Sequence, residues 1–474
     1  MHTIEKALLS AINKHPKLPL VIAYSGGVDS QVLLHALAFL RYEVAKKSSQ
    51  KLRLNHCFSN PVTVCHVNHG LSDNATIWQT FAKQACLQLK LPLKICKVNV
   101  QAKAQQSLEA LARDARYQAL HSIYQTPSLI ITGHHRDDQA ETFLLALKRG
   151  SGLKGLSAMA SETIQGNDVL LRPLLNISRA DIIDYAKSNG LSWVEDESNT
   201  DTRFDRNFIR NDILPILAKR WPSITTTINR SSEHCREGQL LLDELAADDL
   251  SLCEHNENSL TVKHLAQLSQ KRFNNLIRYF LDKHHCLMPS TSQLSQLYVQ
   301  LSADKDKNPA VKLGKNFLRR HKGVLYLTAD FDDISRWSID ITLSEIDSNE
   351  RKSIELPDNL GTIYIDKPIH TDTYESSQKI VSPTKDQKIS VRFVHTNPIC
   401  LPDYRKHSRS LKKVLQELNI PTWQRKRIPF LFYDDVLVAA IGFFVCQDYL
   451  PKSSKSQCSV LKKEIKNIII NWAH

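Results

Sequence analysis

Paired cysteines are missing from this sequence, although it contains ten cysteines in 474 residues. No two of them form the Cys-x-x-Cys pair that a zinc ribbon needs, so such a metal site is not expected. The sequence also lacks an apolar run long enough to span a bilayer, and its first residues lack the apolar core and cleavage site of a signal peptide. These absences predict a cytoplasmic protein with reduced thiols and no membrane association.

Acidic residues are fewer than basic ones, and 49 Asp and Glu against 62 Lys and Arg give a formal net charge of +13. Much of the excess lies at the end of the chain, because segment 391–474 contains 14 basic and 6 acidic residues. One explanation of this excess of basic residues is a charged surface that only keeps the protein in solution. The basic residues cluster with aromatic and turn residues, however, which favours nucleic acid as the partner.

The chain is too long for one typical hydrophobic core, so we expect two to three domains. Apolar strands alternate with helical patterns in the first part, which predicts an α/β domain with a parallel sheet. A mostly helical middle domain and a small α+β C-terminal domain should follow. The predicted segments are the α/β domain over 1–215, a connecting helix over 216–240, the middle domain over 241–330 and the C-terminal domain over 331–474. Within the C-terminal domain, residues 331–390 are polar and predicted to be irregular, and residues 389–474 form a basic core region.

The alternation in the first domain can be assigned to individual elements. The predicted strands are Leu20–Ala23, Val62–Val67, Lys94–Val98, Leu129–Thr132 and Val169–Arg172. The predicted helices are Ser30–Leu40, Thr76–Leu89, Leu108–Tyr124, Asp138–Arg149 and Arg179–Asn189. Parallel sheets of this kind bind ligands at the carboxyl ends of their strands, so the loops that follow these strands should form the site.

A glycine loop, Ser25-Gly-Gly-Val-Asp-Ser30, follows the first predicted strand and precedes a helix. This order directs free backbone N–H groups and the positive end of a helix toward an anion, and two glycines let the backbone approach a phosphate. Asp29 would repel phosphates unless a cation lies between them, so we expect Mg²⁺ to bridge phosphate oxygens and this carboxylate. The residues predicted to bind ATP are Ser25, Gly26, Gly27, Val28, Asp29 and Ser30.

The glycine loop matches neither the Walker pattern nor the Gly-x-Gly-x-x-Gly dinucleotide fingerprint. It resembles the PP-loop of the ATP pyrophosphatases, a superfamily with an adenine nucleotide alpha hydrolase-like fold. Its members cleave ATP between the α and β phosphates and transfer AMP to an acceptor. An ordinary turn before a helix is the alternative, but six matching positions after an apolar strand favour the PP-loop.

Later segments narrow this resemblance to one family. They are Cys65-His-Val-Asn-His-Gly-Leu71, Ile131-Thr-Gly-His-His-Arg-Asp-Asp-Gln-Ala-Glu-Thr142, Leu171-Arg-Pro-Leu-Leu175, Glu195-Asp-Glu-Ser-Asn-Thr-Asp201 and Arg206-Asn-Phe-Ile-Arg210. Together with the PP-loop, they make the chain similar to the tRNA(Ile)-lysidine synthetases. The resemblance covers the N-terminal half well and recurs near the C-terminus, whereas residues 240–385 match loosely.

The segment after the fourth predicted strand places acids and histidines at the start of a helix. Asp138 and Glu141 are three residues apart and share one face, where two carboxylates can bind an ammonium group or help to hold Mg²⁺. A pair of acids that only stabilises the helix start is the alternative. The resemblance implies that Asp138 and Glu141 bind lysine and that Asp137 lies near the metal or the amine. Two histidines at a strand end beside acids suggest that His134 or His135 contacts substrate or phosphate. The base that deprotonates the lysine amine is left open among these histidines and the acids.

Basic residues of the first domain are candidates for phosphate contacts. Arg113 can stabilise leaving pyrophosphate, although a solvated helix face with ion pairs to Glu109 and Asp114 is an equally good explanation. The resemblance favours Arg113 as a substrate contact. The resemblance also implies that Arg206, Asn207 and Arg210 lie at the rim where the anticodon loop of the RNA enters.

The C-terminal basic region adds a second set of RNA contacts, because basic residues with interleaved aromatics suit the RNA backbone. The residues predicted to contact RNA there are Lys412, Lys413, Arg425 and Arg427. We expect Trp423 to pack in the core rather than to stack on a base.

The resemblance implies an ATP-dependent ligase that joins lysine to carbon 2 of the first anticodon cytidine of a CAU-bearing isoleucine tRNA. Asp29, Arg113, His134 and Asp137 would then be catalytic, ATP and Mg²⁺ the cofactors, and the later domains would bind tRNA, while a homodimer is compatible with the sequence. A cytidine thiolase is the first alternative, against which the missing Cys-x-x-Cys argues. A non-catalytic RNA-binding protein is a second alternative, against which the intact Ser25–Ser30 loop argues. An amidotransferase-like synthetase is a third, and the lack of a glutamine-hydrolysing domain argues against it.

Overall fold

The computed structural model describes residues 1–48, 60–70, 72, 74–100, 108–301, 310–343, 346, 351–366, 377–451 and 467–473. The chain divides into two compact units, Met1–Leu245 and Ala246–His474. The boundary falls within one long helix, Ile224–Cys253, rather than in a loop. Among the described residues, no helix has the length and apolar character needed to cross a membrane.

A six-stranded sheet forms the centre of the first unit. Its strands are β1 (Leu20–Ala23), β2 (Val62–Asn68), β3 (Leu93–Lys97), β4 (Leu129–Ile131), β5 (Glu162–Gln165) and β6 (Asp168–Leu171). The order is β3-β2-β1-β4-β6-β5, and every neighbouring pair is parallel except β5 with β6. The predicted parallel sheet is thus confirmed, and the antiparallel edge strand β5 is an element that the sequence did not reveal.

Helices cover both faces of this sheet, as expected for strands that are apolar on both sides. They are α1 (Thr3–Asn13), α2 (Val28–Ser48), α3 (Ala75–Gln88), α4 (Leu108–His121), α5 (Arg136–Lys148), α6 (Leu153–Leu156) and α7 (Arg179–Ser188). Leu20 and Ile22 of β1 belong to the core under α1, α2 and α7, whereas Val21 belongs to the core with Leu120 of α4. This alternation fixes the loop after β1 at the carboxyl edge of the sheet.

The first unit ends in helical segments that return to α5. They are a 3₁₀ turn at Glu197–Thr200, α8 (Asp205–Phe208), a π-helical turn at Ile209–Ile213, α9 (Leu214–Arg220) and the start of α10 (Ile224–Cys253). Ile209, Leu214 and Ile228 pack around Ala140 of α5. The segment predicted as a connecting helix over 216–240 therefore contains the end of α9, a break and part of a longer helix.

The second unit begins with helices on an antiparallel sheet. The helices are α11 (Val262–Leu265), α12 (Gln270–Lys283) and α13 (Thr291–Leu301), and the strands are β7 (Glu254–Asn256), β8 (Ser259–Thr261), β9 (Ala310–Leu313), β10 (Asn316–His321) and β11 (Val324–Ala329). The sheet order is β7-β8-β11-β10-β9. The predicted helices are present, and the five-stranded sheet is added to them.

The rest of the second unit is rich in sheet. One sheet contains β12 (Ser338–Ile341), β16 (Ile389–Arg392), β19 (Phe430–Tyr433), β20 (Val436–Ala440) and β21 (Phe444–Val445). A second contains β13 (Lys352–Glu355), β14 (Thr362–Asp366), β15 (Gln378–Val381) and β22 (Asn467–Ala473), while β17 (Ile399–Cys400) pairs with β18 (Arg409–Ser410). Two short helices, α14 (Leu411–Glu417) and α15 (Thr422–Arg425), lie between strands in sequence.

The prediction that residues 331–390 are irregular is wrong, because β12 to β15 lie there. These strands have only four or five residues each and bury few of them, such as Ile354 and Ile363. β14 pairs with β22, about a hundred residues further along the chain. A local reading of polar sequence therefore misses strands that distant pairing stabilises.

Candidate active site

The glycine loop joins β1 to α2 and closes on its own hydroxyl groups. The backbone N–H groups of Ser25 and Gly26 donate to Ser30 Oγ at 3.3 and 3.1 Å, and this hydroxyl donates to the Gly27 carbonyl at 2.9 Å. Ser30 is buried. The predicted ATP-binding residues thus form one compact turn, in which two backbone N–H groups donate to the hydroxyl of the buried Ser30.

Two glycines allow close backbone approaches at this loop. Gly26 has φ +93°, and a Cβ there would lie 2.9 Å from Val194 Cγ2. A Cβ on Gly133, which follows β4, would lie 3.1 Å from the Asp29 carbonyl carbon. The loops after β1 and β4 are therefore packed directly against each other, as their predicted position at one sheet edge requires.

His135 connects these two loops. It is buried and forms the N-cap of α5, where its Nδ1 accepts the Asp137 N–H at 3.2 Å and its backbone N–H donates to Asp138 Oδ2 at 3.0 Å. Its Nε2 lies 3.5 Å from Asp29 Oδ1 and 3.4 Å from Asp138 Oδ2. Three carboxylates of the candidate site thus surround one imidazole.

The charges around His135 decide its protonation. Burial alone would lower the pKa of His135, but the hydrogen bond to Asp137 and the charges of Asp138 and Asp29 raise it above its ordinary value. Burial raises the pKa of Asp29, although His135 and Arg179 oppose the shift. The carboxylates therefore favour the protonated imidazole, whereas the Asp137 N–H at Nδ1 favours the ring with that nitrogen unprotonated.

Asp138 and Glu141 are both buried and bind two arginines. Arg206 donates to Glu141 Oε2 at 2.7 Å and to Asp138 Oδ1 at 2.9 Å. Arg210 donates to Glu141 Oε1 and Oε2 at 2.6 and 2.9 Å and to Asp138 Oδ1 at 3.0 Å. Burial would raise the pKa of Asp138, but His135 and Arg206 lower it to about 2. We call these four residues the charge cluster.

The charge cluster joins residues that the sequence assigned to different partners. Asp138 and Glu141 were predicted to bind lysine, whereas Arg206 and Arg210 were predicted to contact RNA at the rim. The structure brings all four together, with about a quarter of each arginine side chain exposed. A substrate ammonium at these carboxylates would share them with the two guanidinium groups.

Asp137 and Asn207 support neighbouring segments. Asp137 Oδ2 accepts the Arg179 N–H at the start of α7 at 2.9 Å, although the same carboxylate also lies 3.6 Å from His135 Nδ1. The Asn207 amide donates to the carbonyls of Ser198 and Asp201 at 2.8 and 3.0 Å. Both side chains therefore hold loops around the site in place.

His134 has a different environment from His135. Its Nδ1 lies 2.9 Å from Thr132 Oγ1 at the end of β4. Desolvation outweighs the nearby Asp138 charge and lowers the pKa of His134 to about 3. His134 is therefore neutral at physiological pH, and one nitrogen of a neutral imidazole is a hydrogen-bond acceptor.

Arg113 is exposed on α4, and its guanidinium lies 5.5 Å from the centre of the Tyr117 ring. Its charge contributes to the lowered pKa values of His134 and of the buried Arg172. Leu71 of the second motif and the side chain of Glu109 lie outside the described residues. The predicted phosphate contact of Arg113 stays a prediction.

The predicted RNA contacts of the second unit differ in exposure. Lys412 and Lys413 are exposed on α14, and Arg425 is half-buried with its Nε donating to the Ile420 carbonyl at 2.8 Å. Arg427 is buried, pairs with Asp358 and lies 4.2 Å from the centre of the Phe331 ring. The guanidinium of Arg427 is thus engaged inside the unit, and its predicted RNA contact stays a prediction.

Asp29 fits the magnesium ligand that the sequence predicts. Its Oδ1 is buried and accepts no hydrogen bond from any described residue. No group of three or more His, Cys, Asp or Glu in the described part of the chain has metal-binding geometry. Mg²⁺ would therefore need phosphate oxygens and water beside this single carboxylate, as is usual for magnesium nucleotides.

Some residues of the site gave no signal in the sequence. Val194 covers Gly26, and the Val194 N–H donates to the Gly26 carbonyl at 3.1 Å. The buried Arg172 bonds the Ala160 carbonyl and Thr163 Oγ1 at 2.7 and 3.0 Å. Arg172 was visible only as part of the Leu171-Arg-Pro motif, and nothing marked Val194.

Three family models match the chain in succession. A PP-loop domain matches residues 1–217, a TilS substrate binding domain matches 260–326, and a TilS substrate C-terminal domain matches 389–461. A tRNA(Ile)-lysidine synthase from Histophilus somni (strain 129Pt) is 40% identical over 441 residues, which cover 92% of this chain and 98% of the relative. The chain belongs to the tRNA(Ile)-lysidine synthase family.

Further relatives agree with this membership. A tRNA(Ile)-lysidine synthase from Coxiella burnetii is 38% identical over 437 residues, covering 92% of this chain and 91% of the relative. Among solved structures, the U34-tRNA thiolase NcsA from Methanococcus maripaludis is 18% identical with a TM-score of 0.38 and covers 49% of this chain and 78% of its own. That likeness is too distant to bear on function.

The two loop glycines provide a matched test of the strained turn. Gly26→Ala places a Cβ at positive φ and against Val194, so it should lower the free energy of unfolding of the first unit by roughly 1–2 kcal/mol. In Gly27→Ala the new Cβ would lie 3.5 Å from Ser25 Oγ, an ordinary contact, so the free energy of unfolding should change by less than about 0.5 kcal/mol. Urea unfolding of both variants measures the difference, and equal effects would contradict the described turn.

The raised pKa of His135 predicts a pH-dependent contribution to stability. A group whose pKa rises on folding stabilises the protein fully below its unfolded pKa of about 6.5, and the contribution is lost as pH rises through the folded pKa. His135→Asn keeps an N-cap acceptor but removes the titrating ring. The stability difference between wild type and His135→Asn should therefore be larger at pH 6 than at pH 9. A difference that stays constant or grows with pH would show that His135 is not protonated between the carboxylates.

Proposed function

We propose that the chain joins L-lysine to carbon 2 of the first anticodon cytidine of the CAU isoleucine tRNA, using ATP through an adenylated cytidine. Family membership over more than nine-tenths of the chain supports this substrate. The proposal rests most on the position of His135, whose Nε2 lies within 3.5 Å of carboxylate oxygens of both Asp29 in the glycine loop and Asp138 in the charge cluster. A phosphate loop beside carboxylates that attract a cation suits a reaction between ATP and an amine.

The proposed reaction has two balanced steps. The oxygen on carbon 2 of cytosine attacks the α phosphorus of ATP, an O–P bond forms, and pyrophosphate leaves as the α–β anhydride bond breaks. The lysine ε-amine then attacks carbon 2, a C–N bond forms, and AMP leaves with that oxygen. Adenylation is needed because the oxygen is a poor leaving group until it is bonded to phosphate. The product would change pairing from G to A, and the tRNA specificity from methionine and AUG to isoleucine and AUA.

The glycine loop would hold the phosphates of ATP. The start of α2 supplies a positive helix end and the N–H groups of its first turn, because the Ser25 and Gly26 N–H groups and the Ser30 hydroxyl already donate within the loop. Asp29 would be the carboxylate ligand of Mg²⁺, a cation that neutralises phosphate charge as pyrophosphate departs. Arg113 would add a positive charge near the leaving group.

The charge cluster would bind the lysine substrate. Glu141 Oε1 accepts one hydrogen bond and Asp138 Oδ2 accepts one from the His135 backbone, so each carboxylate retains a lone pair for an ammonium. Arg206 and Arg210 would fix the two carboxylates in place and so orient the amine. The arginines would thus position the carboxylates, and the carboxylates would bind the substrate amine.

The attacking amine must lose a proton to a base, and His134, His135 and the nearby acids are the candidates for that base. The low pKa of His134 makes its ring a weak base for an ammonium group, although the neutral ring can accept a hydrogen bond from the amine. His135, whose pKa is raised by the carboxylates around it, would screen Asp29 from Asp138.

The second unit would bind the tRNA body through Lys412, Lys413 and Arg425. Their location in the segment that matches a substrate C-terminal domain supports this role. The described cysteines are all free thiols, which suits the proposed location in a reducing cytoplasm. A homodimer stays a prediction, and so do the domain limits derived from sequence.

Transfer of labelled lysine tests the proposed function. The full chain is incubated with ATP, Mg²⁺, labelled lysine and the CAU isoleucine tRNA transcript, and acid-stable label on the RNA is counted. We expect label on the RNA only when ATP is present and the first anticodon position is a cytidine. Absence of label together with transfer from a sulfur donor would favour the thiolase alternative and refute the proposal.

Asp29→Asn tests the metal role of the glycine loop. It preserves side-chain size but removes the charge that would hold Mg²⁺, so pyrophosphate release should fall at least about 100-fold while tRNA affinity stays within about threefold. Pyrophosphate release and filter binding of labelled tRNA are measured on the same preparation. Parallel loss of both activities would contradict a role confined to ATP.

A further inference from the structure

The five-stranded sheet of the second unit has two different faces. Leu318 of β10 lies on the face that packs against α12 and α13. Arg319 is paired directly with Tyr326 of β11, and Phe317 is paired with Thr328. Since side chains alternate along a strand and cross-strand partners share a face, these four side chains lie on the other face of the sheet.

Aromatic rings from outside the sheet cover this second face. The ring of Trp423, from α15, lies 5.7 Å from the Tyr326 ring at an interplanar angle of 64°. The Arg319 guanidinium lies 4.4 Å from the centre of the Phe317 ring, 5.6 Å from Phe331 and 5.7 Å from Trp423. We call these five residues the aromatic cluster. Trp423 is half-buried and belongs to none of the buried cores, so the expectation that it packs in the core is wrong.

A cavity of about 590 Å³ opens beside the aromatic cluster. The residues that line it include the aromatic Tyr326, Phe331 and Trp423 and the polar Asn256, Glu257 and Asn258. The volume lies within the range of about 300–1,000 Å³ that is typical for sites of small organic ligands. Rings beside amide and carboxylate groups suit a flat, polar-edged ligand, which describes a nucleobase.

Two polar atoms at this face have no partner. Arg319 Nε and Thr328 Oγ1 are buried and make no hydrogen bond to any described residue. Thr328 also lines the cavity. Buried polar atoms are nearly always hydrogen-bonded in proteins, so a missing partner indicates a ligand or solvent at this place. A guanidinium N–H and a hydroxyl can both bind a phosphate oxygen or the edge of a base.

We propose that this cavity binds one unpaired nucleotide of the tRNA substrate, with its base in contact with the rings of both Trp423 and Tyr326. The inference rests on the proposed function, which supplies the RNA. Aromatic stacking of unpaired bases is the usual way in which proteins hold single-stranded RNA. Tyr326 ends the segment that matches a substrate binding domain, and Trp423 lies in the segment that matches a substrate C-terminal domain. One nucleotide would thus be held between two substrate-binding segments.

Alanine variants test the stacking rings. Trp423→Ala and Tyr326→Ala in the full chain should each weaken binding of the CAU isoleucine tRNA roughly tenfold, since a base loses its stacking partner. The KM for tRNA should rise by a similar factor, while kcat at saturating tRNA stays within about twofold. Equilibrium filter binding and steady-state lysine transfer give the two readouts.

Two further variants separate stacking from folding. Trp423→Phe retains a ring and should keep tRNA affinity within about threefold of wild type. Ile399→Ala removes a side chain that is 77% exposed in the same matched segment but has no ring, and it should leave affinity unchanged. Wild-type affinity in both folded alanine variants overturns the proposal, and so does an equal loss in Trp423→Phe. If Trp423→Ala does not fold, the affinity of Tyr326→Ala decides alone.

Photochemical cross-linking locates the nucleotide directly. Ultraviolet irradiation of the wild-type complex, followed by mass spectrometry, should link a nucleotide to a peptide that contains Trp423 or Tyr326. Cross-links found only in other peptides would contradict the proposal. Failure of the proposed function is recognised separately: the wild type would then transfer no lysine, whatever the affinity of the ring variants.

Discussion

The charge cluster at the start of α5 is the interaction on which the candidate active site depends. Asp138 and Glu141 are buried, so their negative charges require partners within the protein. Arg206 and Arg210 supply those partners through five hydrogen bonds. These bonds tie the closing segment of the first unit to the helix that follows β4. Removal of one arginine would leave the two buried carboxylates with only one guanidinium partner, which is unfavourable.

The same cluster determines what the site can do. His135 caps α5 and places its ring between Asp138 and Asp29, so the loop that would bind phosphate is linked to the carboxylates through one imidazole whose pKa is raised. His134, one residue earlier, is held neutral by desolvation. The pKa values of these adjacent histidines thus shift in opposite directions, because one ring faces carboxylates and the other is desolvated near arginines.

Much of the first unit could be predicted from the sequence, because its strands are short apolar runs that alternate with helices. The loop 25–30 and the α5 segment lie together because both follow parallel strands of one sheet. The partners of Asp138 and Glu141 could not be predicted, since Arg206 and Arg210 are more than sixty residues away in sequence. The glycine spacing indicated a phosphate loop, but nothing in it indicated that Val194 covers Gly26.

The second unit was harder to predict for a related physical reason. Its strands β13 and β14 are short, and β14 pairs with a strand near the end of the chain. Basic residues there look alike in sequence, yet Lys412 is exposed whereas Arg427 is buried against Asp358 and Phe331. Trp423 likewise looks like a core residue until the face of β10 and β11 that it covers is known. Exposure is set by such distant contacts and not by local composition.

A crystal structure of the full chain with lysine and a non-hydrolysable ATP analogue is the most direct test of the account. The account predicts the triphosphate at the loop from Ser25 to Ser30 and a lysine nitrogen within hydrogen-bonding distance of Asp138 or Glu141. Lysine bound elsewhere, with all five arginine hydrogen bonds of the charge cluster unchanged, would show that the cluster only stabilises the fold and would contradict its proposed role in substrate binding.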